Sequence, residues 1–141
     1  MSIQLIVVGV VVNSDGKVLL VKEKENKWAL PGGLVKPGER LDEALMREIN
    51  EEAGMLVSID RISKLYQMIN SNNTDLIVVF LCKYVKEVSK GELEAKWVPP
   101  FNIYNLDLLY PETPLVVESV LKGKEIKGVI EIGGRRYYFY F

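Results

Sequence analysis

The sequence contains no histidine and a single cysteine, Cys82. Without histidine there is no imidazole acid–base catalysis, no Ser-His-Asp triad and no His-ligated zinc. One cysteine excludes an intramolecular disulfide. Set inside an apolar run, Cys82 reads as a small buried hydrophobe rather than a nucleophile. Any general base must therefore be a carboxylate, a lysine, a tyrosine or water. An excess of one charge is also missing: 18 basic residues stand against 19 acidic ones, for a net −1. Such a balance creates no basic field for a nucleic-acid polymer. The apolar run over residues 5–12 is too short to span a bilayer, and no basic stretch precedes it. These absences predict a cytoplasmic protein that engages neither nucleic-acid polymers nor membranes.

What is present fits one globular domain. The chain has 141 residues, 48% of them apolar and 26% charged. At that length it can bury about two-thirds of its unfolded surface. We read residues 1–141 as a single domain, with 126–141 as a hairpin extension. Residues 5–12 and 17–24 are apolar runs around Asn13-Ser14-Asp15-Gly16, a hairpin signal. Trp28-Ala29-Leu30 is a short strand stopped by Pro31-Gly32-Gly33. Residues 40–53 read as a helix, with Leu41, Ala44, Leu45 and Ile49 at helical spacing and Gly54 as its stop. The N-cap is poor, because neither Glu39 nor Arg40 is a capping type. Strands follow over 55–69, 76–85 and 94–98. A helical turn over 102–109 and a helix over 113–121, with Pro114 at its start, come next. The tail 126–141 alternates around Gly133-Gly134, a hairpin signal. The order β-β-β-α-β-β-β-α-β-β predicts an α/β or α+β fold.

The chemistry concentrates between Gly33 and Met55. On a helical wheel with Glu48 at zero, Glu52 lies near 40° and Glu51 near −60°, an arc of about 100°. Leu41 and Leu45 fall near 20° and 60°, so Glu52 sits among the core-facing residues. A solvated acidic face belongs opposite the apolar stripe. Like charges at i, i+4 repel, and burying them costs more. A hard divalent cation removes both objections, since it needs clustered oxygen ligands. Arg47 stands one turn before Glu51 and can orient its carboxylate through a bidentate pair, or form an ordinary helix salt bridge. Gly32 and Gly33 let the backbone approach a ligand, or form a simple turn.

These residues carry a resemblance to the Nudix hydrolases, whose signature is G-x5-E-x7-R-E-U-x-E-E-x-G-U, with U a bulky apolar residue. Here it reads Gly33, Glu39, Arg47-Glu48-Ile49, Glu51-Glu52 and Gly54-Met55, so all nine specified positions match. The seven fixed positions would match by chance at roughly 10⁻⁸ per start point. The resemblance implies an α/β/α sandwich with a mixed β-sheet, to which the C-terminal β-hairpin is an addition. It implies hydrolysis of a nucleoside diphosphate linked to another moiety, with Mg²⁺ or Mn²⁺ as cofactor. It further implies that Glu48, Glu51 and Glu52 and the Gly32 carbonyl hold the metal. Arg47 then orients Glu51, and Glu39 supports the substrate site through water or a salt bridge. The general base is either a box glutamate or a glutamate on a later loop. Glu94, in the Glu-x-x-Trp run ending at Trp97, is our choice over Glu92 and Glu112.

The small-molecule partner expected is a nucleotide. Trp28 is a candidate platform for its base and Lys22 a candidate phosphate contact; the alternatives are a core tryptophan and a solvated charged loop. Family members acting on ADP-ribose often carry a proline beyond the box, and those acting on dinucleoside polyphosphates a tyrosine. This chain has Ile69-Asn70-Ser71 and Asn72-Asn73 there. The preferred expectation is thus a MutT-like (d)NTP pyrophosphatase giving a nucleoside monophosphate and pyrophosphate. ADP-ribose or nucleotide-sugar hydrolysis is the second reading, and a non-catalytic nucleotide-sensing domain the third. The aromatic tail Tyr137-Tyr138-Phe139-Tyr140-Phe141 either packs on its own domain or mediates a homodimer.

Overall fold

The computed structural model describes residues 2–141. Strand β1 (Ser2–Val12) is rich in β-branched residues and occupies the middle of the sheet. The Asn13 side-chain oxygen accepts hydrogen bonds from the Asp15 and Lys17 amides and turns the chain into β2 (Val18–Lys22). Strand β3 (Trp28–Ala29) adds to β2. The segment expected to stop there continues as β4 (Gly32–Leu34), antiparallel to β1. Helix α1 (Leu41–Ala53) follows. Its weak N-cap is offset by Glu43, whose carboxylate accepts the Arg40 amide at 3.3 Å.

Strands β5 (Met55–Ile69) and β6 (Asn73–Glu87) form a long antiparallel pair. The start of β6 lies three residues earlier than its apolar run suggests. Parallel pairing with β1 extends from Ser2–Asn73 to Val12–Lys83 and carries the polar residues along. Strand β7 (Ala95–Val98) pairs with β2. A 3-10 turn over Pro100–Asn105 precedes helix α2 (Thr113–Lys122). The tail forms β8 (Gly128–Ile132) and β9 (Arg135–Phe139) around Gly133 and Gly134, both with positive φ as a two-residue hairpin turn requires.

The sheet is mixed, in the order β3-β2-β1-β6-β5-β9-β8, with β4 on β1 and β7 on β2 off that path. Alternation along β1 sends Val7 and Val11 to one face and Val10 to the other. The first face packs on Ala44, Leu45 and Ile49 of α1, the second on Val116, Val117 and Val120 of α2. Helices thus cover both faces, as the α/β/α expectation requires. The tail packs on its own domain: Tyr137 and Phe139 are fully buried, and Phe139 stacks on Tyr66 at 4.6 Å. Tyr138, Tyr140 and Phe141 remain exposed.

Candidate active site

The signature residues meet where β4 passes α1. A side chain at Gly32 would overlap the Val7 carbonyl, and one at Gly33 would place its Cβ 2.6 Å from the Glu48 carboxyl carbon. Backbone thus excludes a side chain at Gly32, while one at Gly33 would displace the Glu48 carboxyl from its place against the chain. The Gly32 amide donates to Glu52 Oε1 at 3.2 Å.

Arg47 organises the charges. Its Nε and Nη2 donate to the two oxygens of Glu39, at 2.7 and 2.9 Å. Nη2 also reaches the Leu34 carbonyl at 3.1 Å. Nη1 donates to Glu48 at 2.9 Å and to Glu51 at 3.4 Å. The bidentate partner of Arg47 is thus Glu39 rather than the expected Glu51. The loop before α1 turns the Glu39 carboxylate onto the guanidinium fork, while Glu51 stands one turn along the helix with its side chain 42% exposed. Arg47 and the Lys36 amide hold the Glu39 carboxyl down at about 2. Both Glu39 oxygens are engaged in this way, so it braces Arg47 through a salt bridge.

Glu52 is the opposite case. Burial pushes its carboxyl up to about 8; the Gly32 amide opposes this, and the nearby Glu23 and Glu48 carboxylates reinforce it. Among the described residues no three acidic side chains converge to cage an ion. Glu48 and Glu52 lie against each other, and Glu51 leans to Arg47. The donor set is nevertheless all oxygen, crowded and desolvated, with a carboxyl that resists ionising alone. Those features fit a hard divalent cation.

The loop after β6 docks on the end of α1. The Glu92 and Leu93 amides donate to the Glu51 and Glu52 carbonyls, each at 2.9 Å. This brings Glu94 near the box, with its side chain 64% exposed and 3.7 Å from Lys22 Nζ. Lys22 therefore faces Glu94, and it also lies 5.7 Å from the Trp28 ring. Trp28 is buried in the core beneath Lys96, which sits 4.3 Å over its ring. It does not line the cavity beside Gly32 and Gly33.

A cavity of about 240 Å³ opens beside Gly32 and Gly33 on the α2 face of the sheet. Its aromatic walls are Tyr66 and Tyr110. Its acidic residues, Glu23, Asp75 and Glu112, face no lysine or arginine in the lining. Glu112 is buried and accepts from Tyr66 at 3.0 Å and Tyr137 at 2.8 Å. Sequence reasoning weighed Glu112 only as a base and missed Glu23 and Asp75. Polar residues at the ends of otherwise apolar strands were the available signal. A wider recess of about 730 Å³, lined by Arg135 and Arg136, adjoins this cavity through Met68, Asp75 and Tyr110.

Comparison with known proteins agrees with this geometry. The NUDIX domain model matches residues 3–118, and the chain belongs to that family. It is 29% identical over 122 residues to an ADP-ribose pyrophosphatase of Methanocaldococcus jannaschii, covering 81% of this chain and 71% of the relative. It is 33% identical over 98 residues to a MutT-like protein of Streptomyces ambofaciens, covering 67% of this chain but only 62% of the relative. The fold superimposes on a NUDIX hydrolase from Nitrosomonas europaea with a TM-score of 0.74 at 24% identity, covering 86% and 90% of the two chains. A MutT protein from Methanosarcina mazei gives a TM-score of 0.71 at 26% identity, covering 86% and 94%. The chain is a hydrolase of a family that acts on small nucleotide substrates and generally uses divalent metal ions. No helix among the described residues is long and apolar enough to cross a membrane.

Proposed function

We propose that the chain hydrolyses nucleoside triphosphates, ribo- or deoxyribo-, to the monophosphate and pyrophosphate. The observation that carries this reading is the 240 Å³ cavity ending at Gly32 and Gly33. It has room for one nucleoside and no basic side chain to receive a further phosphate. The phosphates would therefore lie outside it, along Glu48, Glu51 and Glu52.

Mg²⁺ or Mn²⁺ bound there would neutralise the phosphate oxygens and make a coordinated water more acidic. Glu48, Glu52, Glu51 and the Gly32 carbonyl are the ligands this reading assigns. Arg47 fixes Glu48 and restrains Glu51 by hydrogen bonds, and Glu39 fixes Arg47. Water adds its oxygen to phosphorus as the anhydride bond breaks, and its proton passes to a carboxylate. Glu51 and Glu94 are the solvent-open acceptors at the end of α1. Lys22, beside Glu94, is the cation this reading assigns to an outgoing phosphate.

A second reading, ADP-ribose or nucleotide-sugar hydrolysis, is favoured by the Methanocaldococcus relative's name and by the arginine-lined recess next to the cavity. The test is pyrophosphate and phosphate release with Mg²⁺ over NTPs, dNTPs, ADP-ribose, a nucleotide-sugar and diadenosine polyphosphates. Pyrophosphate with the matching monophosphate supports the first reading. Cleavage of ADP-ribose or the nucleotide-sugar, with triphosphates untouched, overturns it in favour of the second.

A further inference from the structure

The cavity is a ruled slot. Alternate residues of β1, Gln4, Ile6 and Val8, lie along its floor, with Ile77 and Asp75 of β6 beside them. Val8 pairs with Gly32 and Gln4 pairs with Asp75. Those two points are four residues apart on one strand, about 13 Å at a rise of roughly 3.3 Å per residue. This is close to the reach of a nucleoside monophosphate from its phosphorus to the far edge of its base. A nucleotide whose phosphate lies at Gly32 would therefore bring that edge to Asp75.

Asp75 is waiting for a donor. Its Oδ1 is buried and has no hydrogen-bond partner. Burial raises the proton affinity of the carboxyl, and no lysine or arginine lines the slot to compensate. An unpartnered buried oxygen is costly, and a ligand with N–H groups at that point would remove the cost. Ile6, Ile77 and Met68 supply flat apolar surface on the way in.

We propose that Asp75 is a specificity-determining residue that reads the base edge and selects guanine. A carboxylate offers two adjacent acceptors. Guanine alone among the common bases presents two adjacent donors there, N1–H and the N2 amino group. Adenine and cytosine set one amino group beside an acceptor. Uracil and thymine flank one N–H with two carbonyl oxygens, which a carboxylate repels. The inference rests on the nucleoside lying in this cavity, as the proposed function has it.

The experiment compares binding of GMP, IMP, AMP and UMP by calorimetry, in the wild type and in Asp75→Asn, without turnover. Asparagine is the same shape and replaces one acceptor with a donor. A bidentate pair discriminates about 5- to 150-fold. The wild type should bind GMP at least fivefold more tightly than IMP, which lacks the amino group, and more tightly still than UMP. In Asp75→Asn the three should fall within about twofold, and in turnover the change should appear in KM more than in kcat. Equal affinities in the wild type, a preference that survives the substitution, or an equal loss for every base each overturn the inference. Triphosphate turnover without base preference sinks Asp75 and leaves the proposed activity standing. Turnover of ADP-ribose alone, with the GMP preference intact, does the reverse.

Discussion

Tyr137→Phe removes one of the two hydroxyls that hold Glu112, a residue lining the cavity beside Gly32. That hydroxyl donates to Glu112 at 2.8 Å, and Tyr137 is fully buried. Glu112 is itself 3% exposed, so water cannot replace the lost donor. A hydrogen bond to a charged group contributes about 1.5–3 kcal/mol, more than a neutral pair. Tyr66 still donates to the other oxygen, which favours the lower half of that range, about 2 kcal/mol. With an unfolding entropy near 2.1 cal/mol/K per residue, that corresponds to a Tm about 7 °C lower. Urea unfolding and calorimetry measure both quantities. Tyr138→Phe, on the exposed face of the same strand, is the control and should lie within about 0.5 kcal/mol of wild type. Tyr137→Phe, Glu112→Gln and the double variant close a cycle. If Tyr137→Phe is as stable as Tyr138→Phe, or the cycle is additive, the buried carboxylate is not held by the tail and the argument fails.

Glu52→Gln should leave the fold intact and cut metal-dependent turnover by at least about a hundredfold, more than the loss of an outer-shell partner; an active variant would remove Glu52 from the ligand set. The same residue sets a pH signature in metal-free protein. Its carboxyl rises from 4.5 to about 8 on folding, so the folded state holds an extra proton between those values. Stability therefore falls as pH rises from 4.5 through 8, and Glu52→Gln should flatten that slope in denaturation curves. Gly33→Ala drives a methyl group into the Glu48 carboxyl and should abolish turnover while secondary structure by circular dichroism is kept; wild-type rates would show that the close approach is dispensable. Cys82 is buried, and burial pushes its thiol up to about 12. It should ignore a disulfide reagent at pH 8 until the chain is unfolded; rapid labelling of native protein would contradict this.

The residues that gather locally were legible in the sequence. Helix α1 announces itself by the spacing of Leu41, Ala44, Leu45 and Ile49, and the box fixes its acidic face. Gly133-Gly134 announces the final turn for the same local reason. What was not legible depends on partners far along the chain. Gly32 and Gly33 read as a stop because nothing nearby shows that β1 will receive them as a strand. Trp28 stayed open between a platform and a core residue because its burial depends on Leu108 and Lys96. Arg47 read as a brace for Glu51 because a wheel cannot show a loop carboxylate, Glu39, turned back onto it. Asp75 was invisible for a related reason: its place in the cavity follows from the parallel pairing of β6 with β1.

That parallel ladder also dictates an order of events. Ser2 meets Asn73 and Val12 meets Lys83, so β1 has its neighbour in the sheet only after more than half the chain has been made. On a ribosome the strand must wait, apolar and unpaired, for the segment that covers it. Glu112 waits longer still for its second donor, because that donor is Tyr137 of β9. A chain interrupted before β9 can carry every signature residue and still lack one of the donors that hold Glu112. The full set of contacts around Glu112 is in this sense a property of the finished molecule, completed by its last strand rather than by the motif near its middle.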